Sequence, residues 1–354
     1  MPTAARGPGT DPRACLEAAL THGRTPLGRS VDWRELGVRD AGDLLALLPP
    51  VLPFATSGTT GTPRRWWRTR EQLVAEAERL AALLAPARSD AVLVHAPLRH
   101  LYGLLLGALV PALLGLPAYY RGAVEPPRPG PHRPLVVAVP STWSLLKRSL
   151  SVLRGYRALT VVHSTGRLPV DSVRRVRRAA PSLALYEVHG STETGMIAVR
   201  TTEDGEFALA DDVELTPGLA PGRTVPLSVR GARLARPDGG PPPVDHVLDD
   251  LVRVTGPRAY RLVGRAGRIV KIDGRRADLA AVEATLRAAV PGLELACVLV
   301  PDPVRGEWYE VRVRGSLEQR RAVVDAAARL LPAWQAPRAV LTEPHPPRRR
   351  SRAL

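Results

Sequence analysis

The stretch "FATSGTTGTPRRWWRT", residues 54–69, places two hydroxyl–glycine clusters back to back and follows them with a proline and several arginines. Glycines let a backbone approach an anion closely with its N–H groups turned inward, and nearby hydroxyls add donors. The spacing differs from that of a P-loop, which ends in Gly-Lys-Ser/Thr. The stretch is typical of a loop that wraps a polyphosphate, but also of an ordinary turn, so the choice depends on the rest of the chain.

The composition indicates a globular chain with two domains. The 354 residues have a hydrophobic fraction of 45%, enough for a substantial core. Only two cysteines, Cys15 and Cys297, are present, which leaves no basis for a disulfide framework or a cysteine-rich metal site. Residues 1–15 lack the apolar run of a signal peptide. We therefore expect a cytoplasmic protein.

The charge balance raises the question of an acidic partner. The formal net charge is +16, from 50 Lys and Arg against 34 Asp and Glu. Such a charge is compatible with nucleic-acid binding, but the cations are scattered and follow no nucleic-acid-binding pattern. We expect no nucleic acid. Two interpretations stay open: a solvated basic surface, or a face that meets an acidic protein, to which the tail "PPRRRSRAL" (346–354) would contribute.

One apolar stretch, "LYGLLLGALVPALLGLPAYY" (101–120), is long enough to span a bilayer. Pro111 interrupts it, and its last residues are typical of a turn that leads into a strand. A completely buried helix in an α/β core is equally apolar on all sides. We therefore expect a buried helix and no membrane segment.

Strand and helix patterns alternate through the first half of the chain, which predicts a layered α/β domain with ligands at the strand ends. The predicted strands are residues 91–96, 135–140, 159–164 and 185–190, and the predicted helices are 70–84, 141–150 and 168–180. Short strands follow from Phe207. A small α+β domain then follows, with strand "RIVKID" (268–273) and helix "ADLAAVEATLRAAV" (277–290). We expect domains at 1–266 and 267–354.

Two further motifs follow the opening stretch in order: "YEVHGSTETG" (186–195) and "LVGRAGRIVKIDGRRADLAAVEATL" (262–286). Together the three resemble the adenylate-forming superfamily of acyl-CoA synthetases, peptide-synthetase adenylation domains and luciferases. The resemblance runs from about residue 50 to the end, and within the superfamily it is strongest for small acyl-CoA-synthetase-like proteins of bacterial polyene and polyketide pathways. It implies an adenylate-forming fold, in which a layered α/β domain with an abbreviated front subdomain precedes a small mobile domain.

The resemblance also implies a site for ATP and Mg²⁺. It assigns Mg²⁺ to Glu193, the α-phosphate to Thr192, and the ribose to Asp250 and Arg265. His189 would stack on adenine, where an aromatic ring is usual; it equally fits a hydrogen-bonded histidine at a strand end. The rest of the implied nucleotide site is Thr56, Ser57, Gly58, Thr59, Thr60, Gly61, Gly190 and Ser191.

Three more residues are candidates through the same resemblance. His100 lies where the family has a histidine or aromatic near the pyrophosphate and the acyl entry; it equally fits a helix-start histidine. Lys271 matches a lysine that faces the active site after the small domain rotates. Arg348 falls in the position of the lysine that bridges the acyl carboxylate and the α-phosphate. Arginine keeps that charge with a bulkier, differently directed group.

The chain departs from the family in other places as well. Only 53 residues precede Phe54, fewer than the family usually has there. Gly267 stands at the usual pivot, and Pro347 where a glycine precedes the tail lysine. In "HSTGRLP" (163–169), which resembles the wall of the acyl pocket, Thr165 replaces a common glycine.

The resemblance implies an ATP-dependent acid–thiol ligase. A carboxylic acid would be adenylated and passed to CoA or to the phosphopantetheine of a carrier protein. The basic surface slightly favours an acidic acyl or peptidyl carrier protein through electrostatic steering. Two alternatives stay open: transfer to an amine or other nitrogen nucleophile, and a non-catalytic nucleotide-binding protein in which Arg348 no longer supports adenylation.

Overall fold

The computed structural model describes residues 10–56, 64–120, 132–216, 222–265, 269–272, 275–302 and 306–342. The described α-helices are α1 Pro12–His22, α2 Ala41–Leu47, α3 Arg70–Leu84, α4 Leu101–Leu104, α5 Val110–Leu114, α6 Thr142–Arg148, α7 Leu150–Leu153, α8 Val170–Ala179, α9 Leu279–Ala289 and α10 Leu317–Leu330. The described strands are β1 Ser30–Asp32, β2 Val51–Thr56, β3 Arg64–Thr69, β4 Ala91–Val94, β5 Pro117–Tyr120, β6 Pro134–Ala138, β7 Leu159–His163, β8 Leu183–Ser191, β9 Gly195–Arg200, β10 Phe207–Leu209, β11 Val213–Leu215, β12 Thr224–Gly231, β13 Arg236–Pro237, β14 His246–Gly256, β15 Ala259–Arg265, β16 Ile269–Ile272, β17 Arg275–Asp278, β18 Glu294–Asp302, β19 Gly306–Arg314 and β20 Val340–Thr342.

The largest sheet joins twelve of these strands in the order β1-β5-β4-β6-β7-β8-β9-β10-β15-β14-β12-β11. Strands β5, β4, β6, β7 and β8 pair in parallel, as the alternation of strand and helix patterns predicts. From β8 onward each pair is antiparallel. The predicted α/β class is confirmed, and β8 is the strand at which the pairing changes.

Alternate residues of the parallel strands face two different cores. In β4, Val92 and Val94 pack in the core that contains α3 and the helix after His100, whereas Leu93 packs with α6 and α8. Because helices cover both faces, β4, β6 and β7 are buried along their whole length. This explains why their sequences are continuous apolar runs.

The apolar stretch 101–120 forms a buried helix followed by a strand. The helix consists of α4, a π-helical segment at Leu105–Leu109, and α5, and β5 follows it. Almost all of its side chains lie in the core beside α3, so the prediction of a buried helix is confirmed. Across the described ranges, no helix is long and apolar enough to cross a membrane.

Residues 269–342 have a hydrophobic core of their own. It is enclosed by the β16–β17 hairpin, the sheet β18-β19-β20, and helices α9 and α10. The boundary expected between residues 266 and 267 lies outside the described residues and stays a prediction.

One local expectation was wrong in detail. The helix predicted for 277–290 begins at Leu279, because Asp278 caps it by accepting a hydrogen bond from the Ala280 N–H at 2.8 Å, and the residues before it pair with β16. Ser141 precedes α6 but makes no capping hydrogen bond. Instead, the Thr142 hydroxyl accepts from the Val139 N–H at 3.1 Å.

Candidate active site

The turn between β8 and β9 carries the "STETG" residues to the carboxyl end of the parallel strands. The Ser191 N–H donates to the Thr194 hydroxyl at 3.1 Å, and the Thr194 N–H donates to the Ser191 hydroxyl at 3.3 Å. These reciprocal bonds close the turn and leave Thr192 and Glu193 between them. Ligands of open α/β sheets bind outside the carboxyl ends of the strands, and this turn lies at the carboxyl end of β8, the strand at which the pairing changes from parallel to antiparallel.

Both glycines of the turn are required by its geometry. A Cβ on Gly190 would lie 2.1 Å from the carbonyl oxygen of Gly195. Gly195 has φ +71°, in the left-handed region, and a Cβ there would lie 2.4 Å from a carboxylate oxygen of Glu76. The pattern "GSTETG" therefore encodes a backbone that other residues would disrupt.

Glu193 presents a buried carboxylate at this turn. The residue is 4% exposed, and its Oε2 atom has no hydrogen-bond partner among the described residues. Its Oε1 atom lies 3.7 Å from Nη1 of Arg276, on β17. A buried anionic oxygen without a partner is costly, and a bound cation would satisfy it.

The donor set fits magnesium rather than a metal held entirely by protein. In the part of the chain that the structure describes, no group of three or more His, Cys, Asp and Glu is arranged to hold a metal. Mg²⁺ is usually bound through one or two carboxylates together with substrate phosphates and waters. Glu193 is thus suited to be a single carboxylate ligand.

The adjacent acids Asp249 and Asp250 lie in strand β14 and not in a turn. Asp250 is 6% exposed and is the register partner of Arg265 on β15. Asp249 points elsewhere: its side chain is 40% exposed, and Oδ2 lies 3.6 Å from Nη1 of Arg276. The structure therefore brings Asp250 and the backbone of Arg265 together.

Both ring nitrogens of His189 are engaged. Nδ1 lies 2.6 Å from the hydroxyl of Tyr260, and Nε2 lies 3.4 Å from Oδ2 of Asp250. Burial raises the pKa of Tyr260 well above its usual value, so its hydroxyl stays protonated and is a donor available to Nδ1, while Nε2 faces Asp250. The ring also lies 5.3 Å, centroid to centroid, from Phe207. His189 thus orients Asp250, a contact that the sequence alone does not reveal.

Strands β2 and β3 precede and follow residues 57–63. Strands β2 and β3 pair with Thr56 opposite Arg64, and the Thr56 hydroxyl donates to the Arg64 carbonyl at 3.4 Å. The predicted phosphate-binding residues Ser57, Gly58, Thr59, Thr60 and Gly61 lie outside the described residues, as do Gly267 and Arg348.

The β16–β17 hairpin places two cations opposite each other. Lys271 pairs with Arg276 in the antiparallel register, so both side chains lie on the same face of the hairpin. Because Arg276 reaches Glu193 and Asp249, this face is the one turned toward the β8–β9 turn. The family match of Lys271 is consistent with that orientation.

His100 lies at the start of α4, near the β16–β17 hairpin. It is an exposed residue that precedes Leu101 without a capping hydrogen bond from its side chain. Desolvation of its ring lowers the pKa of His100, and the charges of Arg99 and Arg275 lower it further. Arg275 is on β17, so the charge of the hairpin acts on the His100 ring.

A search of known families gives a direct match. The model of the family described as AMP-binding enzyme matches residues 50–246, more than half of the chain. A 4-coumarate–CoA ligase of Rhodobacter capsulatus is 31% identical over 249 residues, which cover 68% of this chain and 58% of that protein. The chain therefore spans less than two thirds of the length of this curated relative.

Solved structures of low sequence identity share the fold. A malonyl-CoA ligase in a ternary product complex with methylmalonyl-CoA and AMP superposes with a TM-score of 0.62 at 24% identity, covering 84% of this chain and 71% of that one. PA1221, a nonribosomal peptide synthetase protein containing adenylation and PCP domains, gives 0.61 at 23% identity, covering 82% and 65%. With its three ordered motifs and the family match, the chain belongs to the AMP-binding enzyme family, the adenylate-forming superfamily.

Proposed function

We propose that this protein activates a carboxylic acid with ATP as an acyl-adenylate and transfers the acyl group to a thiol. The observation that carries the proposal is the buried Glu193 carboxylate, with one unpartnered oxygen, at the end of β8. Asp250 and His189 lie beside the same strand end. This combination suits the triphosphate, metal and ribose of one nucleotide.

In the first step, a carboxylate oxygen of the acid attacks the α-phosphorus of ATP. A new P–O bond forms, the bond to pyrophosphate breaks, and negative charge accumulates on the transferred phosphate. Thr192 and the loop Ser57–Gly61 would donate hydrogen bonds to the phosphates, and Asp250 with Arg265 would hold the ribose. Glu193 would hold Mg²⁺, which neutralises the phosphate oxygens when bound.

In the second step, a thiol sulfur attacks the acyl carbon of the adenylate. The new C–S bond replaces the C–O bond to AMP, the thiol proton is released, and AMP leaves. We assign Arg348, or a neighbouring tail cation, to the first step and Lys271 to the second. The small C-terminal domain would move between the two steps, so that each cation is near the phosphate only when needed.

The acceptor thiol would belong to CoA or to the phosphopantetheine of an acidic carrier protein. The net charge of +16 supports an acidic carrier protein as the acceptor, because opposite charges steer the two proteins together. We place the reaction in a biosynthetic pathway in the cytoplasm. Transfer to a nitrogen nucleophile would start from the same acyl-adenylate. The two alternatives therefore share the first step and differ only in the acceptor.

The experiment is ATP–pyrophosphate exchange across a panel of carboxylic acids, followed by addition of CoA, a phosphopantetheinylated carrier protein or an amine. Exchange that depends on an acid and on Mg²⁺, with a thioester after the thiol is added, is the expected result. Amide formation without thioester would replace the proposed acceptor. Nucleotide binding without any exchange would contradict the proposal and leave a non-catalytic nucleotide-binding protein.

A further inference from the structure

A fully buried arginine lies directly beneath the β8–β9 turn. Arg68, on β3, has an exposed fraction of 0%. Its Nε and Nη2 atoms both donate to the carbonyl oxygen of Thr192, each at 3.1 Å. Two hydrogen bonds from one rigid guanidinium to one carbonyl oxygen fix the direction of the peptide that joins Thr192 to Glu193.

A buried glutamate completes the support. Glu76, on α3, is 2% exposed; its Oε1 accepts from the Met196 N–H at 2.7 Å. Its Oε2 lies 3.4 Å from Nη1 of Arg68 and 3.4 Å from Nη1 of Arg233. Arg233 in turn donates to the Met196 carbonyl at 2.7 Å. The charged groups therefore hold the backbone on both sides of Gly195.

Stability alone does not account for this network. Buried ion pairs are expensive to desolvate, and apolar side chains of similar volume often stabilise a protein as well or better. The network instead satisfies backbone groups of the turn, while the Ala235 N–H satisfies the Glu193 carbonyl at 2.7 Å. The backbone of the turn is thereby held by the protein. The Oε2 atom of Glu193 stays without a partner among the described residues, while Oε1 faces Arg276.

We propose that Arg68 and Glu76 are positioning residues that set the Glu193 carboxylate for the metal–nucleotide complex. The inference rests on the proposed function. β3 begins at Arg64, shortly after the residues proposed to bind the phosphates. Arg68 thus also connects this strand to the turn that carries Glu193.

The small α+β unit contains a matched control. There Arg287 donates to the Leu295 carbonyl at 2.7 Å and to Glu283 at 2.9 Å, and Glu283 accepts from the Cys297 N–H at 2.6 Å. The chemistry is the same as that of Arg68 and Glu76, but no candidate site residue lies on the backbone that this pair holds. Glu283 is buried like Glu76, so Glu283→Gln measures the structural effect of losing such a carboxylate. Arg287 is half exposed, so Arg287→Lys controls only for the loss of the same kinds of hydrogen bond.

The test measures Mn²⁺ affinity by electron paramagnetic resonance with ATP bound, and ATP affinity without metal by calorimetry, in the full chain. Arg68→Lys keeps the positive charge but loses the paired N–H groups that bind the Thr192 carbonyl. Glu76→Gln keeps an acceptor for the Met196 N–H but loses the negative charge. We expect each to weaken Mn²⁺ binding about 10-fold and metal-free ATP binding by less than about 2-fold, with both control variants unchanged. If Arg68→Lys does not fold, Glu76→Gln decides.

Equal Mn²⁺ affinities in wild-type, Arg68→Lys and Glu76→Gln chains would overturn the inference while leaving the proposed function intact. If Arg68→Lys and Glu76→Gln lose Mn²⁺ affinity and metal-free ATP affinity equally, the two residues support the structure in general. That result would also overturn the inference. Absence of ATP-dependent Mn²⁺ binding in the wild-type chain would contradict both the inference and the proposed function.

Discussion

Two arginine–glutamate pairs hold backbone in the same way in different parts of this molecule. In each, the arginine donates to a backbone carbonyl, and the glutamate accepts from a backbone N–H a few residues further along the chain. The pairs are Arg68–Glu76, on Thr192 and Met196, and Arg287–Glu283, on Leu295 and Cys297.

The pairs differ in burial and in what they hold. The Arg68 side chain is 0% exposed and that of Arg287 is 49% exposed. An ion pair near water is worth little because it is screened, whereas losing one partner of a buried pair leaves an uncompensated charge. The first pair supports a turn with candidate reactive groups, and the second joins helix α9 to strand β18. On this account, an arginine–glutamate pair affects the proposed reaction only when the backbone that it holds carries a site residue such as Glu193.

The largest expected effect removes the group that the first pair positions. Glu193→Gln should reduce acid-dependent ATP–pyrophosphate exchange by on the order of 10²-fold or more, because a charged ligand to the metal is lost. Glu283→Gln, the change in the second pair, should leave exchange within about 2-fold at most. Unchanged exchange in Glu193→Gln would remove Glu193 from the site.

Changes in the C-terminal part of the chain separate adenylate formation from thioester formation. Lys271→Ala should leave adenylate formation nearly intact and slow thioester formation by about 10-fold, since its cation acts in the second step. The triple change of Arg348, Arg349 and Arg350 to alanine should show the opposite pattern. Single-turnover kinetics from ATP plus acid, and separately from preformed acyl-adenylate, distinguishes the steps.

A triple variant with normal adenylation would show that the tail is not catalytic. Weakened binding of a carrier protein by that variant would then assign the tail to docking. Equal slowing of both steps by Lys271→Ala would contradict its role in the second step.

Asp250 and Asp249 provide a comparison within one strand. Asp250→Ala should raise the KM for ATP by about 10-fold, because charge-assisted hydrogen bonds to the ribose are lost. Asp249→Ala should change the KM by less than about 2-fold, since that side chain is 40% exposed and faces Arg276. Steady-state kinetics with varied ATP measures both, and equal effects would show that the ribose is held elsewhere.

The smallest expected effect concerns Thr165, a residue with a strained backbone that is not part of either arginine–glutamate pair. Thr165 has φ +74°, in the left-handed region that a β-branched residue rarely adopts. Thr165→Gly should raise the free energy of unfolding by about 1 kcal/mol, the relief of strain exceeding the added flexibility of the unfolded chain. Denaturant titration tests this, and a lower free energy of unfolding would show that the threonine side chain makes compensating contacts.

The sequence predicts those parts of the molecule that depend on local patterns. Continuous apolar strands alternating with amphipathic helices predict the parallel half of the central sheet, and Pro111 within a fully apolar stretch predicts a buried helix. Motif order predicts the family. These features repeat along the chain, so neighbouring residues suffice to recognise them.

The support of the site depends on contacts between distant residues. Arg68 lies in "RRWWR" among surface-like arginines, and its partner Thr192 is 124 positions away. Tyr260 is likewise 71 positions from His189. The residues "RRWWRT" show no alternation of apolar and polar side chains that would mark Arg68 as buried, and they do not name the carbonyl that the arginine binds.

The most direct test of the account follows an oxygen atom through the reaction. The acid that supports exchange is labelled with ¹⁸O in its carboxylate and converted with ATP and the acceptor, and the AMP is analysed by mass spectrometry. If the carboxylate attacks the α-phosphorus and the acceptor then attacks the acyl carbon, AMP carries one labelled oxygen. Unlabelled AMP, or label found in the phosphate of an ADP-forming reaction, would contradict adenylation as the chemistry of this protein.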